Sequence, residues 1–486
     1  MRRPAVRVGA LMRMLHWFRK DLRLEDNTAL SEAVRDAAGD VVPFYSSEPT
    51  LLEREDMAAT RVRFVLESLA DLAAQIERLG SRLALDHGDA SKTVVRAARA
   101  VGAAAVYWND EYEPSLRERD ERVEHALNAA GISVKRFHDR TLVPPDAVRT
   151  GAGTPYTVFT PYARAAAALG IGAPHATPAR LAAHELPARR LATLERLGFA
   201  TTQQRWPGGA TAALRRLEAF VADALSGYGT QRDVPSHPGT SRLSADLKFG
   251  TLSPRTIVAA AQSALANDPR LRGDTEKYIA ELRWRDFYTQ VLYHFPYCEQ
   301  GCFKRAYDAM HWLGDPRHFE SWRAGQTGYP IVDAGMRELA ATGFMHNRTR
   351  MVVASFLTKD LLLDWRAGER HFMTHLVDGD LASNNGGWQW AASTGTDAQP
   401  YFRIFNPVLQ GRRYDPEGAY VRRWVPELTR VPARWIHNPW DAPPLELAAA
   451  GVTLGETYPA PIVDHSTQRD RAISMYEAIA KAGRVR

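Results

Sequence analysis

The feature that most constrains the fold is a change of secondary-structure pattern along the chain. From residue 12 to about 140, the strand-like runs LHWFR, VVPFY, RLALDHG, AAAVYWN and ISVKRFH alternate with segments of helical apolar spacing, such as RVRFVLESLADLAAQIERLG, which ends at Gly80. This alternation predicts an α/β domain, residues 12–140, with a doubly wound parallel sheet that binds ligands beyond the carboxyl ends of its strands. From residue 209 onward helical periodicity dominates, so residues 209–486 are predicted to form a larger all-α domain.

The remaining segments are predicted to extend or connect these two domains. Residues 141–208 are rich in Pro, Ala and Gly and predict an interdomain linker that crosses the surface. Residues 1–11 are basic and lack the apolar stretch of a secretory signal, which predicts an N-terminal extension or a misassigned start. No run approaches the ~18 apolar residues of a membrane span. Two cysteines in a lone C-x-x-x-C, Cys298 and Cys302, favour a reduced cytoplasmic setting over a zinc site.

The stretch DGDLASNNGGWQWAASTGTDAQPYFRIFNP, residues 378–407, is the strongest candidate for a ligand site. Its apolar residues fit neither helical spacing nor strand alternation over the whole length. Asn-Asn-Gly-Gly is predicted to interrupt regular structure, where backbone can approach a flat ligand without a Cβ in the way. Trp388 and Trp390 offer aromatic faces, and Asp378 and Asp380 offer acceptors. The alternative is a Trp-rich structural turn.

Two helical segments place polar side chains on one face. In ELRWRDFY, Glu281, Trp284 and Arg285 share a face, which suits a cavity for a flat ligand but also fits an exposed Glu–Arg pair beside a half-buried Trp. In HNRTRMVVASFL, Arg350 has no acidic residue near it in sequence, so Asp378 is its predicted partner. Arg348 is predicted to point away from that face.

Two loops are weaker candidates. The hydroxyls of GTSRLS could bind phosphates, cap the following helix, or do both. Asn109, Asp110 and Glu111 follow a predicted strand and could line a pocket, although loop carboxylates are more often solvated. The net charge of +6 makes a polyanionic partner only slightly more plausible.

Taken in order, these motifs resemble those of the photolyase and cryptochrome family. HWFRKDLRLEDNTAL, GTSRLS, ELRWRDFY, TGYPIVDAGMRELAATGFMHNRTRM, the 378–407 stretch and WVPEL extend the resemblance over nearly the whole chain. Within the family, the chain is most similar to class I cyclobutane pyrimidine dimer DNA photolyases. The resemblance implies an α/β domain followed by an all-α FAD-binding domain.

The resemblance also implies a set of residues around one FAD. Those on its phosphate and adenine side would be Tyr228, Thr240, Ser241, Arg242, Leu243 and Ser244. Those around the isoalloxazine would be Arg285, Asn347, Arg350, Asp378, Gly379, Asp380 and Asn384. Asn384 would face flavin N5 and support the reduced flavin. Trp388, Trp365 and Trp312 would form an electron relay from the flavin to the surface.

On the substrate side, the resemblance implies repair of UV-damaged DNA. Excited FADH⁻ would donate an electron to a flipped-out pyrimidine dimer, the cyclobutane ring would open, and the electron would return. The implied catalytic residues are Glu281, Trp284, Met351, Asn384 and Trp390. The implied DNA contacts, which do not read sequence, are Arg232, Glu281, Trp284, Asn347, Arg348, Trp390, Arg403 and Gln410.

The family commonly binds a second, light-harvesting chromophore in its first domain. Asp110, Glu111 and Lys248 are its predicted contacts, and WNDEYEP favours a deazaflavin over methenyltetrahydrofolate. We expect a monomer without an obligate protein partner. The alternatives are a cryptochrome photoreceptor, a (6-4) photolyase, and a flavin oxidoreductase outside the family. The last would need a nicotinamide site, and no G-x-G-x-x-G follows a strand.

Overall fold

The computed structural model describes residues 12–49, 53–200 and 206–484, with side chains as far as residue 479. The predicted extension at residues 1–11 lies outside the described residues. No helix among the described residues is long and apolar enough to cross a membrane.

The first domain contains a five-stranded parallel sheet. Its strands are β1 (Met14–Phe18), β2 (Val41–Ser47), β3 (Ala84–His87), β4 (Ala105–Asn109) and β5 (Ser133–Phe137), in the order β3-β2-β1-β4-β5. The crossing helices are α1 (Thr28–Asp36), α2 (Ala59–Arg78), α3 (Ala90–Ala100) and α4 (Pro114–Ala129). The predicted doubly wound sheet is confirmed. The strand order reverses beside β1, so the ligand crevice of such a sheet would lie beyond the carboxyl ends of β1 and β4.

Side-chain alternation along the strands separates the two layers of helices. In β1, Leu15 and Trp17 pack in a core with residues of α3 and α4, whereas Met14 and Phe18 pack in a second core with residues of α1 and α2. Because neighbouring strand residues point to opposite faces, the central strands β1 and β4, in which every residue is buried, are covered on both sides.

The predicted linker contains the helix α5 (Phe159–Ala168), and most of its other described residues have no regular secondary structure. It pairs with the first domain through backbone bonds, for example from Ala182 N to Val41 O at 3.0 Å. The domain boundaries at residues 140 and 208 stay a prediction.

The rest of the described chain is helical around a large apolar core. Its helices are α6 (Ala210–Asp223), α7 (Tyr228–Gln231), α8 (Ser244–Phe249), α9 (Pro254–Asn267), α10 (Arg272–His294), α11 (Arg317–Arg323), α12 (Pro330–Thr342), α13 (Asn347–Ser355), α14 (Trp365–His375), α15 (Leu381–Ala391), α16 (Pro407–Tyr414), α17 (Ala419–Trp424), α18 (Pro444–Ala450) and α19 (His465–Arg484). A short π-helical turn, Phe356–Asp360, extends α13.

The predicted interruption at Asn-Asn-Gly-Gly is wrong, because α15 runs through it without a break. Asn385 donates from Nδ2 to the Cys298 carbonyl at 2.9 Å and to Glu369 Oε1 at 3.0 Å. A Cβ on Gly386 would lie 2.1 Å from the Tyr288 ring, so glycine allows α15 to approach α10 closely. Tertiary contacts thus override the low helix propensity of these residues.

Candidate active site

Helix α15 forms the centre of the candidate site. Asp380 caps its first turn, with Oδ1 accepting from Ser383 N at 3.1 Å. Asn384 is buried one turn later and donates from Nδ2 to the Glu369 carbonyl at 3.1 Å. The helices α10, α13 and α14 all pack against α15. The packing therefore brings the polar faces of α10 and α13, identified in the sequence, against α15.

The predicted pair between Arg350 and Asp378 is present. Nη2 of Arg350 lies 3.0 and 2.9 Å from the two carboxylate oxygens of Asp378, and Nε donates to the Met345 carbonyl at 2.8 Å. Asp378 is buried. A charged pair fixed in this way can orient a neighbouring ligand and influence its protonation.

Arg61 of α2 holds the loop that contains these carboxylates. It donates from Nε to the Leu376 carbonyl at 3.2 Å and from Nη2 to that of Met373. It also lies against Gly379, where a Cβ would approach Nη2 to 2.4 Å. Burial lowers the pKa of Arg61, although nearby carboxylates, Asp378 among them, partly offset it. The α/β domain thus helps to position the Asp378 loop.

Asp380 belongs to a buried set of charges between the two domains. Its Oδ2 lies 3.5 Å from Lys248 Nζ and 3.8 Å from an Arg140 nitrogen. Burial alone would raise the pKa of Asp380, but the Lys248 and Arg140 charges outweigh it and lower the pKa to about 2. Asp380 is therefore a permanent anion at the start of α15.

The exposed Glu281–Arg285 pair considered from the sequence is not formed. Glu281 instead accepts from Arg232, with Oε1 2.6 Å from Nη1, and its side chain is 34% exposed. Arg285 turns inward and donates to the carbonyls of Leu247, at 3.1 Å, and Arg140. One face of α10 thus presents a carboxylate outward and holds a guanidinium inside.

The predicted lesion-facing aromatics lie on different helices. Trp284, on α10, is half-buried and stacks on Phe159. Trp390, near the end of α15, is half-buried against Phe405. Met351, on α13, is half-buried, and its Sδ lies 3.9 Å from Nδ2 of the exposed Asn347.

The three tryptophans of the implied relay share one hydrophobic cluster. Trp388 and Trp365 are buried in it, and Trp312 packs against it half-buried. A Cβ on Gly368, one turn after Trp365, would lie 2.1 Å from the Trp388 ring, so α14 presses directly on that indole. The relay order implied by the resemblance stays a prediction, and Trp312 is the most exposed of the three.

The segment GTSRLS ends at Ser244, the first residue of α8, but its hydroxyls do not cap that helix. Leu243 is the N-cap residue and makes no side-chain bond there, so the capping expectation is wrong. Arg242 has a left-handed backbone, φ +53°, and is exposed beside Trp206. The buried Tyr228 opens α7 nearby in the same apolar core as Leu243.

The predicted DNA-contacting residues differ in how firmly they are held. Arg348 points away from Arg350, as predicted, and lies 2.9 Å from Asp233 with its guanidinium over the Tyr414 ring. Arg403 is exposed. Gln410, on α16, is half-buried, and its Oε1 is buried without a partner among the described residues.

Of the predicted antenna contacts, Glu111 and Lys248 both contact Arg140, whereas Asp110 has a different partner. Asp110 pairs with Arg136 at 2.6 Å. Glu111 is buried and pairs with Arg140, so the expectation of a solvated turn residue is wrong for it. Lys248 is buried and pairs with Glu113 at 2.9 Å.

Several residues of this region were missed from the sequence. Arg61, Arg140 and Glu113 neither stand in a recognisable spacing nor lie near their partners in the chain. Only the sheet topology offered a signal, because Lys20 follows β1 and Glu113 follows β4, at the predicted crevice. Their side chains meet at 2.5 Å.

The residues present fit an FAD. Arg242 has no carboxylate within 4 Å among the described residues, and three hydroxyl side chains, Thr240, Ser241 and Ser244, flank it. Guanidinium and hydroxyl donors of this kind suit a diphosphate. The buried amide of Asn384 and the fixed carboxylate of Asp380 suit the polar edge of a flat ring.

Comparison with known proteins gives a consistent result over both domains. A profile described as DNA photolyase matches residues 14–182, and one described as the FAD binding domain of DNA photolyase matches residues 278–478. The deoxyribodipyrimidine photo-lyase of Escherichia coli (strain K12) is 42% identical over 479 residues, covering 96% of this chain and 99% of that protein.

Two solved structures are similar over nearly their whole length. A bacterial class III photolyase from Agrobacterium tumefaciens has a TM-score of 0.89 and 40% identity, with 98% of this chain and 100% of that chain covered. A cryptochrome from Synechocystis sp. has a TM-score of 0.88 and 30% identity, with 95% and 99% covered. The chain belongs to the DNA photolyase family.

Proposed function

We propose that this chain is a deoxyribodipyrimidine photolyase, a light-dependent enzyme that splits cyclobutane pyrimidine dimers in UV-damaged DNA. The observation that supports this most is the packing of α10 and α13 on α15. It joins the polar residues suited to a flavin with the half-buried aromatic residues suited to a lesion. Two relatives that are 41% and 42% identical over nearly the whole chain are named deoxyribodipyrimidine photo-lyase.

One FAD is held by the helical domain. Thr240, Ser241, Arg242 and Ser244 bind its diphosphate, and the Arg350–Asp378 pair, Asp380 and Asn384 bind the isoalloxazine. When bound in its reduced form, FAD supplies the light-excited electron donor. The Asn384 amide is fixed through Nδ2 by the Glu369 carbonyl, which leaves Oδ1 as an acceptor for a flavin N–H.

The chain binds the everted dimer between two indoles. Trp284 and Trp390 stack on the lesion, and Met351 packs against it. Glu281 Oε1 is bound by Arg232, so Oε2 is the oxygen that accepts an N–H from the pyrimidine edge. The backbone contacts from Arg348, Arg403 and Gln410 position the DNA without reading its sequence.

Trp388, Trp365 and Trp312 form the route by which an oxidised flavin regains electrons. The buried Trp388 Nε1 has no hydrogen-bond partner among the described residues. Trp312 is the half-buried member at the solvent end.

The second chromophore, a deazaflavin in preference to methenyltetrahydrofolate, stays a prediction. Glu111 and Lys248 would have to exchange their present ion-pair partners to contact it. The class I assignment, the cytoplasmic location, the monomeric state and the absence of an obligate protein partner also stay predictions.

Repair of three defined duplexes tests the proposal. Protein with bound FAD is incubated under blue light or in the dark with duplexes that contain a thymine dimer, a (6-4) photoproduct or no lesion. We expect light-dependent repair of the dimer alone. A cryptochrome would repair none of them, and a (6-4) photolyase would repair the other lesion.

A further inference from the structure

The linker places an aromatic ring on Trp284. Phe159, the first residue of α5, stacks on that indole with ring centroids 3.7 Å apart and planes inclined by 9°. Phe287 meets the same indole edge-on at 5.7 Å, and Tyr288 lies at 5.7 Å with a tilt of 35°. Three rings thus fix the plane of Trp284, which remains half-buried and partly accessible.

Side chains from two other elements hold the linker segment 156–159 in place. Gln290, fully buried on α10, donates from Nε2 to the Tyr156 carbonyl at 2.7 Å. Thr396 donates from its hydroxyl to the Thr157 carbonyl. Asp397 Oδ2 accepts from the backbone N–H of Phe159 at 3.0 Å. Three backbone groups within four residues are therefore gripped by side chains of the helical domain.

The loop that follows α15 is itself strained where it grips the linker. Asp397 has φ +45°, and Ser393, in the same loop, has φ +61°. Such conformations cost free energy in residues other than glycine and persist where the surroundings enforce them, often at functional sites. Because this loop begins at Ala392, two residues after Trp390, one segment connects the surroundings of both proposed lesion-stacking indoles.

We propose that Phe159 is a positioning residue for damage recognition, because it holds the Trp284 ring in the plane required to stack on an everted pyrimidine dimer. This inference rests on the proposed function. An indole ordered before binding loses less conformational freedom when the lesion arrives, so affinity for damaged DNA rises. Undamaged DNA everts no base onto Trp284 and gains nothing from this ordering.

Binding in the dark measures the effect without catalysis. The FAD-bound full-length protein is titrated into a labelled thymine-dimer duplex and the identical undamaged duplex, with fluorescence anisotropy as the readout. Phe159→Leu keeps apolar volume but removes the ring. We expect the Kd for damaged DNA to rise about three- to tenfold, the value of an aromatic pair, while the Kd for undamaged DNA stays constant. Phe159→Tyr should restore the wild-type value.

Two further variants separate positioning from general stability. Asp397→Ala removes the acceptor of the Phe159 N–H and should also raise the Kd for damaged DNA. The double variant should bind damaged DNA no more weakly than Phe159→Leu alone. Phe295→Leu is the matched control, because Phe295 lies in the same cluster but contacts the rings of Tyr297 and Phe303. It should leave the preference for damaged DNA unchanged.

The outcomes are distinct. The inference would be overturned if Phe159→Leu kept the wild-type preference for damaged DNA. It would also be overturned if this variant bound both duplexes more weakly by the same factor. If Phe159→Leu fails to fold, Asp397→Ala decides, and an unchanged preference in that variant overturns the inference as well. Failure of the proposed function would appear differently, as wild-type protein that neither prefers nor repairs the dimer duplex.

Discussion

Lys359 is a buried cation without a carboxylate partner within 4 Å among the described residues. Its Nζ donates to Ser393 Oγ at 2.9 Å and lies 3.7 Å from the centre of the Tyr476 ring. Burial lowers the pKa of Lys359 from 10.5 to about 7. The folded protein therefore loses this proton more easily than the unfolded chain does.

The lowered pKa of Lys359 sets the sign of its contribution to the pH dependence of stability. Between pH 7 and 10.5 the unfolded chain holds the proton and the folded protein does not, so this residue makes stability rise with pH over that window. Lys359→Met removes the cost of burying the charge and should stabilise the protein by about 1–3 kcal/mol at pH 7. Urea unfolding should show the gain shrinking toward pH 10. An equal gain at both pH values would contradict this explanation.

Glu281 faces the lesion in the proposed mechanism and not the flavin. Glu281→Ala should lower repair per absorbed photon by about tenfold, because it removes a fixed acceptor of the lesion, while FAD stays bound. Glu276→Ala is the matched control on an exposed turn of α10. Light titration of the dimer duplex, with flavin absorbance as the second readout, checks both. Loss of flavin from Glu281→Ala would contradict its assigned role.

At the scale of elements, the helices and strands with regular apolar spacing could be predicted from the sequence. An element whose residues are selected by tertiary contacts could not. Helix α2 follows from its apolar periodicity, and the five strands follow from short apolar runs. Helix α15 could not be predicted from the sequence pattern, because contacts with α10 and Glu369 select its Asn and Gly residues. The Arg350–Asp378 pair could be inferred because Arg350 lacked a local partner. Phe159 and Arg61 could not, since their partners lie far away in sequence.

The close packing of α15 on α10 predicts a strong contrast between adjacent glycines. Gly386→Ala would place a Cβ 2.1 Å from the Tyr288 ring, and the overpacking should destabilise the fold by about 1–3 kcal/mol. Gly387→Ala meets nothing within 4 Å and should stabilise by about 0.5–1 kcal/mol through helix propensity. Denaturant unfolding compares the two. Similar effects of both changes would show that the helices do not pack as described.

At the scale of the whole molecule, buried charges connect the two domains. Glu113, of the α/β domain, lies 2.5 Å from Lys20 and 2.9 Å from Lys248 of α8. Lys248 in turn reaches Asp380, the cap of α15. Burial lowers the pKa of Lys20 to about 8, although Glu113 opposes the shift. The domain interface and the proposed flavin site therefore share one set of charges.

Removing the Glu113 carboxylate should weaken both the domain interface and the binding of FAD. Glu113→Gln leaves two lysines buried with less counter-charge and should cost about 3–5 kcal/mol of stability at pH 7. The loss should diminish toward pH 10, where Lys20, whose pKa burial lowers to about 8, releases its proton. FAD affinity should fall as well. Glu118→Gln, at an exposed position of α4, is the control. Thermal unfolding at both pH values checks the prediction, and a loss that did not depend on pH would contradict it.

The central claim is that a flavin held around α15 drives repair of a dimer bound beside it. The most direct measurement is the wavelength dependence of repair of a thymine-dimer duplex by the purified, FAD-bound protein. The repair rate should follow the absorption spectrum of the bound chromophores and vanish in the dark. A repair rate that did not depend on wavelength would contradict this claim. So would dimers that stayed intact after illumination within the absorption band of the flavin.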